Sequence, residues 1–203
     1  MALSQGNSFA WINELIWREF YAMALYFYPN IGNEEFLVKY RGLKWSHDHE
    51  LFKKFAQGMT GFPIVDAAMR QLHQIGWVHN RARMIVANFL TKCLSLDWRW
   101  GEKLYAQKLI DYEMSSNVGG WQWAASTGFD AQPYFRIFNP ELQGRKFDQY
   151  GEYIKEYLPE LSDVPNEHIF TPYNFVENTK YPEPIINYKC IKNHSLSFYK
   201  STY

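Results

Sequence analysis

The chain opens on a helical rhythm. Apolar residues at Ile12, Leu15, Ile16, Phe20 and Met23 follow the three- and four-residue spacing of one helix face, which predicts a helix over 9–28 that Pro29 ends. Residues 31–45 are polar and irregular. A short helix is expected over 49–57, closed by Gly58. Pro63 stands where a first-turn proline belongs, and 64–75 runs helical up to Gly76, a C-terminal stop. Asn80 has the side chain of an N-cap for a helix over 81–96. Another helix fits 101–112. The Ser-, Gly- and Trp-rich stretch 114–128 reads as a loop with a short helix. Asp148 is placed to cap a helix over 152–158, with Pro159 as its stop. Strand alternation is weak throughout and no repeat appears, so the expected fold class is all-α. Residues 1–162 read as the helical core. Residues 163–203, with prolines at 165, 172, 182 and 184 and no clear period, read as an irregular tail wrapping the same domain.

Composition narrows the classes. An apolar share of 47% excludes a disordered chain, and 203 residues suffice for a core that needs no staple. The longest apolar run, around 84–90, is far too short to cross a bilayer. The N-terminus has no basic head with a long apolar run, so no secretion signal and no membrane partner are expected. Cys93 and Cys190 are the only cysteines, without a CxxC, which argues against a disulfide framework or a zinc–thiolate site and fits a reducing cytoplasm. Basic and acidic residues balance at 21 each. GxGxxG, Walker, HExxH and GxSxG signatures are absent. The aromatic share, 19%, stands out, with all eight Trp between Trp11 and Trp123. A Trp-rich core, a flat-ring ligand, stacked bases and redox-active indoles all fit that clustering.

Three local groups could carry chemistry. In Asn80-Arg81-Ala82-Arg83-Met84, helical geometry puts Asn80, Arg81 and Met84 within an arc of about 100°, while Arg83 points about 160° from Arg81. One Arg can face a polyanion while the other turns inward to a carboxylate; two exposed surface Arg fit as well. Asp111-Tyr112-Glu113, then Asn117, Gly119-Gly120, Trp121 and Trp123, combine acids, a neutral amide, paired glycines and indoles. The glycines would let the backbone approach a planar ligand, or mark a helix stop. No His or Cys accompanies the acids, so no metal is expected. Glu14 and Trp17, three apart, share one helix face, where a carboxylate and an indole could hold a base or simply border the core. His47, His49 and His73 show no zinc spacing; the first two are expected in solvent and the third against a helix side.

Together these words resemble the photolyase/cryptochrome family. The match runs through Asn13-Glu14-Leu15-Ile16-Trp17-Arg18-Glu19-Phe20-Tyr21, Gly61 to Leu72, Gly76 to Met84, Asn117 to Thr127, and Tyr134-Phe135-Arg136-Ile137-Phe138-Asn139-Pro140, covering about residues 8–186 in the family's order. Asn80-Arg81-x-Arg83-Met84 with Asn117 is most similar to class I cyclobutane pyrimidine dimer photolyases. The resemblance is to the C-terminal part of the FAD-binding domain. The family's N-terminal α/β antenna domain and its Thr-Ser-rich phosphate clamp have no counterpart in these 203 residues, while Val118 and Glu113 stand where many relatives have Asn and Asp.

The resemblance implies a FAD bound as FADH⁻ and lined by Trp11, Arg83, Asp111, Tyr112, Glu113 and Asn117, with Arg83 paired to Asp111 and Asn117 near the central ring nitrogen. It implies a DNA side formed by Glu14, Trp17, Asn80, Arg81, Met84, Trp123, Arg136, Gln143 and Lys146. Trp17 and Trp123 would wall a pocket for an extruded dimer, since photolyases are a known class of base-flipping enzyme. Light would drive one electron from FADH⁻ to the dimer, the two ring bonds would split, and the electron would return. Trp121, Trp98 and Trp45 match an indole relay that reduces oxidised flavin. The implied partners are dimer-containing DNA and the missing N-terminal half, which would carry the antenna pigment. The implied setting is a monomer in the cytoplasm at the nucleoid, or in a nucleus. A cryptochrome-like photosensor and a fragment that holds no flavin alone are the alternatives.

Overall fold

The computed structural model describes residues 5–175 and 181–200. Residues 1–4 of the expected core, 176–180 and 201–203 of the expected tail, and the side chain of Cys190 lie outside the described residues. The order of elements is α1 (Gln5–Phe27), α2 (His49–Ala56), α3 (Pro63–Ile75), α4 (Asn80–Asn88), α5 (Trp98–Lys108), α6 (Met114–Ala124), α7 (Pro140–Phe147), α8 (Glu152–Tyr157) and α9 (Tyr188–Lys200). A π-helical turn, Phe89–Cys93, continues α4. Among the described residues the only extended pairing is an isolated bridge between Ser46 and Leu96, so the fold is all-α as expected.

Central to the packing is α6, which lies between α1 and α5, while α3 packs on α4, α7 and α8. The local signals explain several boundaries. Pro63 opens α3, and Gly76 closes it with φ 67°, its N–H returning to the carbonyl of Leu72. Asp48 caps α2 by accepting from the Leu51 N–H. The carboxylate of Asp148 accepts from the N–H groups of Tyr153 and Ile154, so it caps α8 from beyond the left-handed Gly151.

Other boundaries move. The cap of α4 is His79, whose Nδ1 accepts from the Arg81 N–H at 3.1 Å; Asn80 is already the first helical residue. Asp97 caps α5 and starts it at Trp98, three residues earlier than expected, and the chain turns extended at Leu109. α6 runs straight through Gly119-Gly120, because Gly119 is where α1 crosses: the ring of Tyr21 occupies the space a Cβ would take. The unexpected α7 starts on an Asn139 cap and Pro140.

The tail is not irregular over its last part. Ile191, Ser195 and Tyr199 of α9 are all buried, at a four-residue spacing, and the Tyr199 hydroxyl donates to the carbonyl of Ala125 at 2.7 Å. The polar Ser195 in that stripe hid the period. Conversely, Ile12, Leu15, Ile16, Phe20 and Met23, the apolar stripe of α1, are exposed, while Ala24 is buried and Leu25 packs against the core.

Candidate functional site

Arg83 turns inward from α4, on the side of the helix away from Arg81. Its Nε donates to the carbonyl of Val78 at 2.6 Å, and its Nη2 donates to both oxygens of Asp111, at 3.0 and 2.8 Å. A charge-assisted pair of this kind fixes the plane of the guanidinium. Asp111 is brought there by the extended turn after α5, where the Ile110 N–H bonds to the carbonyl of Gly76 at 2.9 Å.

Glu113 caps α6. Its carboxylate accepts from the N–H groups of Ser115 and Ser116 and from both of their hydroxyls, at 2.7 to 2.9 Å. Burial pushes this carboxyl up, but those hydrogen bonds outweigh it and bring it down to about 2. Much of its accepting capacity is spent inside the chain.

Asn117 donates through Nδ2 to the carbonyl and to Oε1 of Glu102, both at 3.1 Å. Both partners are acceptors, so the amide orientation is fixed and Oδ1 is left as its accepting end. The Tyr112 hydroxyl donates to the same Glu102 Oε1 at 3.2 Å. Partial burial and the Glu102 and Glu113 charges push that hydroxyl's pKa up. Glu102 thus joins Asn117 to Tyr112, a role that sequence reasoning missed because an acid in the second turn of a helix carries no signal of its own.

Gly120 stands one turn after Asn117, with open space where a Cβ would lie. An accepting amide and bare backbone on one face of α6, with a neutralised Arg–Asp pair between α4 and the turn after α5, fit the ring end of a flavin. Arg83 is the one basic side chain in that set, and Asp111 already answers its charge.

A second surface joins α4 to α7. The Arg81 guanidinium lies 4.5 Å and the Lys146 Nζ 5.2 Å from the ring centre of Phe147. Arg136 is exposed, and its loop is held by Asn88, which accepts from the Phe138 N–H at 2.9 Å. The buried Oε1 of Gln143 lacks a hydrogen-bond partner among the described residues. Asn80 is exposed, while Met84 and Trp123 are half-buried.

Three expected residues stand apart. Trp11, 63% exposed, and Glu14 lie on the open half of α1. Trp17 stacks on Tyr21, ring centres 5.9 Å apart, and meets Phe20 edge-on. No described ring contact joins Trp17 to Trp123, so the expected wall is not a packed pair.

Trp121, Trp98 and Trp45 are all buried. The Trp121 ring rests on the backbone of Gly101, where a Cβ would come within 2.1 Å of it, one turn along α5 from Trp98. Trp45 borders an open groove of about 440 Å³ that the cations Arg41, Lys44 and Arg99, the acids Glu35 and Asp97, and His47 also line. His47 and His49 pack against Trp100, and His73 bonds to the carbonyl of Ala56 at 2.7 Å. No group of three potential metal ligands occurs among the described residues. No helix among them is long and apolar enough to cross a membrane.

Residues 11–201 match the family described as the FAD binding domain of DNA photolyase. The deoxyribodipyrimidine photo-lyase of Alkalihalophilus pseudofirmus is 49% identical over 199 residues, covering 93% of this chain and 42% of that protein. The crystal structure of a class III photolyase from Agrobacterium tumefaciens is 40% identical with a TM-score of 0.94, over 98% of this chain and 44% of that one. That of a Synechocystis cryptochrome is 33% identical with a TM-score of 0.89, over 96% and 42%. The chain spans about two-fifths of the length of the curated relatives it matches. By sequence over nearly its whole length, and by a helical body that photolyases and a cryptochrome share, this chain belongs to the FAD-binding domain family of DNA photolyases.

Proposed function

We propose that the chain is the catalytic part of a light-dependent enzyme that repairs cyclobutane pyrimidine dimers, with FAD against α6 and the damaged strand across α4 and α7. The observation that carries this reading is the Arg83–Asp111 pair together with an Asn117 amide whose nitrogen is tied to Glu102 and whose oxygen is left to accept. When bound and reduced, FAD supplies the electron that light promotes. Asn117 Oδ1 would accept from a ring N–H; a neutral amide has no acidic proton to give, which suits an anionic ring. Arg83 orients that ring without adding net charge, because Asp111 cancels it. Tyr112 would flank it, Trp11 would reach it only from the open half of α1, and Glu113 would accept from it with the capacity its cap leaves.

On the DNA side, Arg81, Lys146 and Arg136 meet phosphates; local cations set that affinity, so a net charge of zero does not oppose it. Asn80 and Gln143 add polar contacts. Trp17, Trp123 and Met84 offer apolar surface to an extruded dimer, whose damaged stacking lowers the cost of leaving the helix. Glu14 accepts from a pyrimidine N–H. Trp121, Trp98 and Trp45 form the route by which oxidised flavin regains an electron from the groove side. The exposed stripe of α1 is the surface that the remaining length of such a protein would cover, including the part that holds an antenna pigment.

The test is direct. The chain is mixed with FAD, reduced chemically in the dark, given a dimer-containing oligonucleotide and illuminated. Loss of dimers in light and not in darkness is expected. Bound flavin with unchanged dimer content would replace this reading with a light sensor of the cryptochrome kind. A protein without flavin absorbance would overturn cofactor binding by this chain.

A further inference from the structure

Between Trp45 and Trp98 stands a buried carboxylate that the repair reading leaves unused. Glu35 is 3% exposed. Its Oε1 accepts from both indoles, Trp45 Nε1 at 3.0 Å and Trp98 Nε1 at 3.3 Å. Its Oε2 accepts from Arg99 Nη2 at 2.8 Å. The two indole nitrogens are therefore no farther apart than those two bonds laid end to end. Gln122 clamps the loop that carries the acid: its Oε1 accepts from the Phe36 N–H at 3.0 Å, and its Nε2 donates to the carbonyls of Ile31 and Glu34 at 2.7 and 2.9 Å. Gln122 adjoins Trp121, so the helix of the inner indole fixes the acid beside the outer two. Burial pushes the Glu35 carboxyl up, yet the hydrogen bonds from Arg99 and Trp45 and the Arg99 charge bring it below its usual range, so it is ionised near neutrality.

A neutral amide oxygen could accept from two indole N–H groups without the desolvation cost of a charge. What a charge adds is stabilisation of a positive indole, and inside a protein that attraction is far stronger than in water. Arg99 makes the arrangement asymmetric. Its guanidinium lies 4.8 Å from the ring centre of Trp98, where a second positive charge is opposed. Trp45 instead borders the open groove, where water screens the Arg41, Lys44 and Arg99 charges that also line it.

We propose that Glu35 and Arg99 are positioning residues that rank the three indoles, the carboxylate drawing an electron vacancy from Trp121 to the outer pair and the guanidinium moving it on from Trp98 to Trp45. This rests on the relay reading above. The step is one electron passing from Trp45 to oxidised Trp98, itself oxidised through Trp121 by a photoexcited, oxidised isoalloxazine. No bond forms or breaks, and the Nε1 proton of Trp45 stays in its hydrogen bond to Glu35. A one-electron donor such as a thiol, reaching the groove, restores Trp45.

The ranking is measurable without flavin. The flavin-free chain is oxidised by pulse-generated azide radicals, and the absorbance of oxidised indole is followed in the parent, Glu35→Gln and Arg99→Gln proteins. Trp45→Phe in each background isolates the share held by Trp45. Glu35→Gln is expected to lower that share about tenfold, ~59 mV for one electron. Arg99→Gln is expected to shift the balance back toward Trp98. A general loosening of the loop would not separate Trp98 from Trp45, so an unchanged share in both variants, or the same change in both, overturns the proposal. If Glu35→Gln does not fold, the direction in Arg99→Gln decides. Trp121→Phe in the flavin-loaded chain tests the relay separately. Normal photoreduction there removes the relay, whereas blocked photoreduction with an unmoved Trp45 share removes only the role of Glu35 and Arg99.

Discussion

The ring of Tyr21 lies in the notch that Gly119 leaves in α6; a Cβ on Gly119 would come within 2.1 Å of Tyr21 Cδ1. This is how α1 approaches α6 closely enough to bury the Tyr21 hydroxyl, whose pKa rises to about 12 through burial and the nearby Asp130 charge. Gly119→Ala gains up to roughly 1 kcal/mol of helix propensity. It also forces an aromatic ring aside, an overpacking cost of about 1–3 kcal/mol, so net destabilisation is expected. At Gly120 nothing lies within 4 Å of the place a Cβ would take, and Gly120→Ala is expected to stabilise by roughly 0.5–1 kcal/mol. Urea midpoints of the two variants should move in opposite directions; equal shifts would contradict the packing account.

The Arg83–Asp111 pair separates binding from folding. Its side chains are 26% and 44% exposed, so the pair contributes no more than about 1 kcal/mol to stability. Asp111→Asn should therefore leave the melting midpoint nearly unchanged. It also frees the Arg83 guanidinium that the two Asp111 oxygens hold in plane beside the ring site, and FAD affinity is expected to fall about tenfold, some 1.4 kcal/mol. Flavin titration and thermal melts on the same samples check both halves; a melt that collapses with the affinity would make the pair structural.

How far the sequence speaks depends on the range of the interaction. Pro63, Gly76 and Asp148 act within a few residues of themselves, and their helix ends were legible. Helical phase set Arg83 and Arg81 about 160° apart; that Arg83 is the inward one came from the family resemblance. The helical course of α6 through two glycines was not legible, because the reason is the Tyr21 ring, which the chain supplies almost a hundred residues earlier. Nor was α9, whose buried stripe includes Ser195. Glu35 and Glu102 look like surface acids in sequence and become hubs only when distant indoles and amides close on them. The apolar stripe of α1 carried the clearest period in the chain, yet it faces outward: periodicity reports that a face is to be covered and does not say by what.

Arg81 tests the nucleic-acid surface. Stacked on Phe147 beside Lys146, it is held rather than free to sweep solvent. Each phosphate contact contributes roughly 0.9 to the slope of log affinity against log salt on duplex DNA. Arg81→Ala should weaken binding across sequences and reduce that slope by about 1. An unchanged slope, measured by fluorescence anisotropy from low to moderate salt, would mean that Arg81 does not meet a phosphate.

Lys92 gives the fold a pH signature. Its buried ammonium donates to Ser126 Oγ at 2.7 Å and to the carbonyl of Tyr134 at 2.9 Å, tying the π-helical turn to the loop after α6. Burial pulls its pKa from 10.5 down to about 7, with the neighbouring Cys93 opposing only in part. Between those two values the unfolded chain binds the proton and the folded chain does not, so stability rises with pH across that window. Below about 7 both states are charged and the effect is constant. Lys92→Met should flatten the rise. The window is best read up to about pH 9.5, before unfolded-state tyrosines ionise near pH 10 and favour unfolding. Urea unfolding at half-unit steps from pH 6.5 upward, parent against variant, gives the comparison, and parallel curves would show that Lys92 is charged in the folded protein throughout.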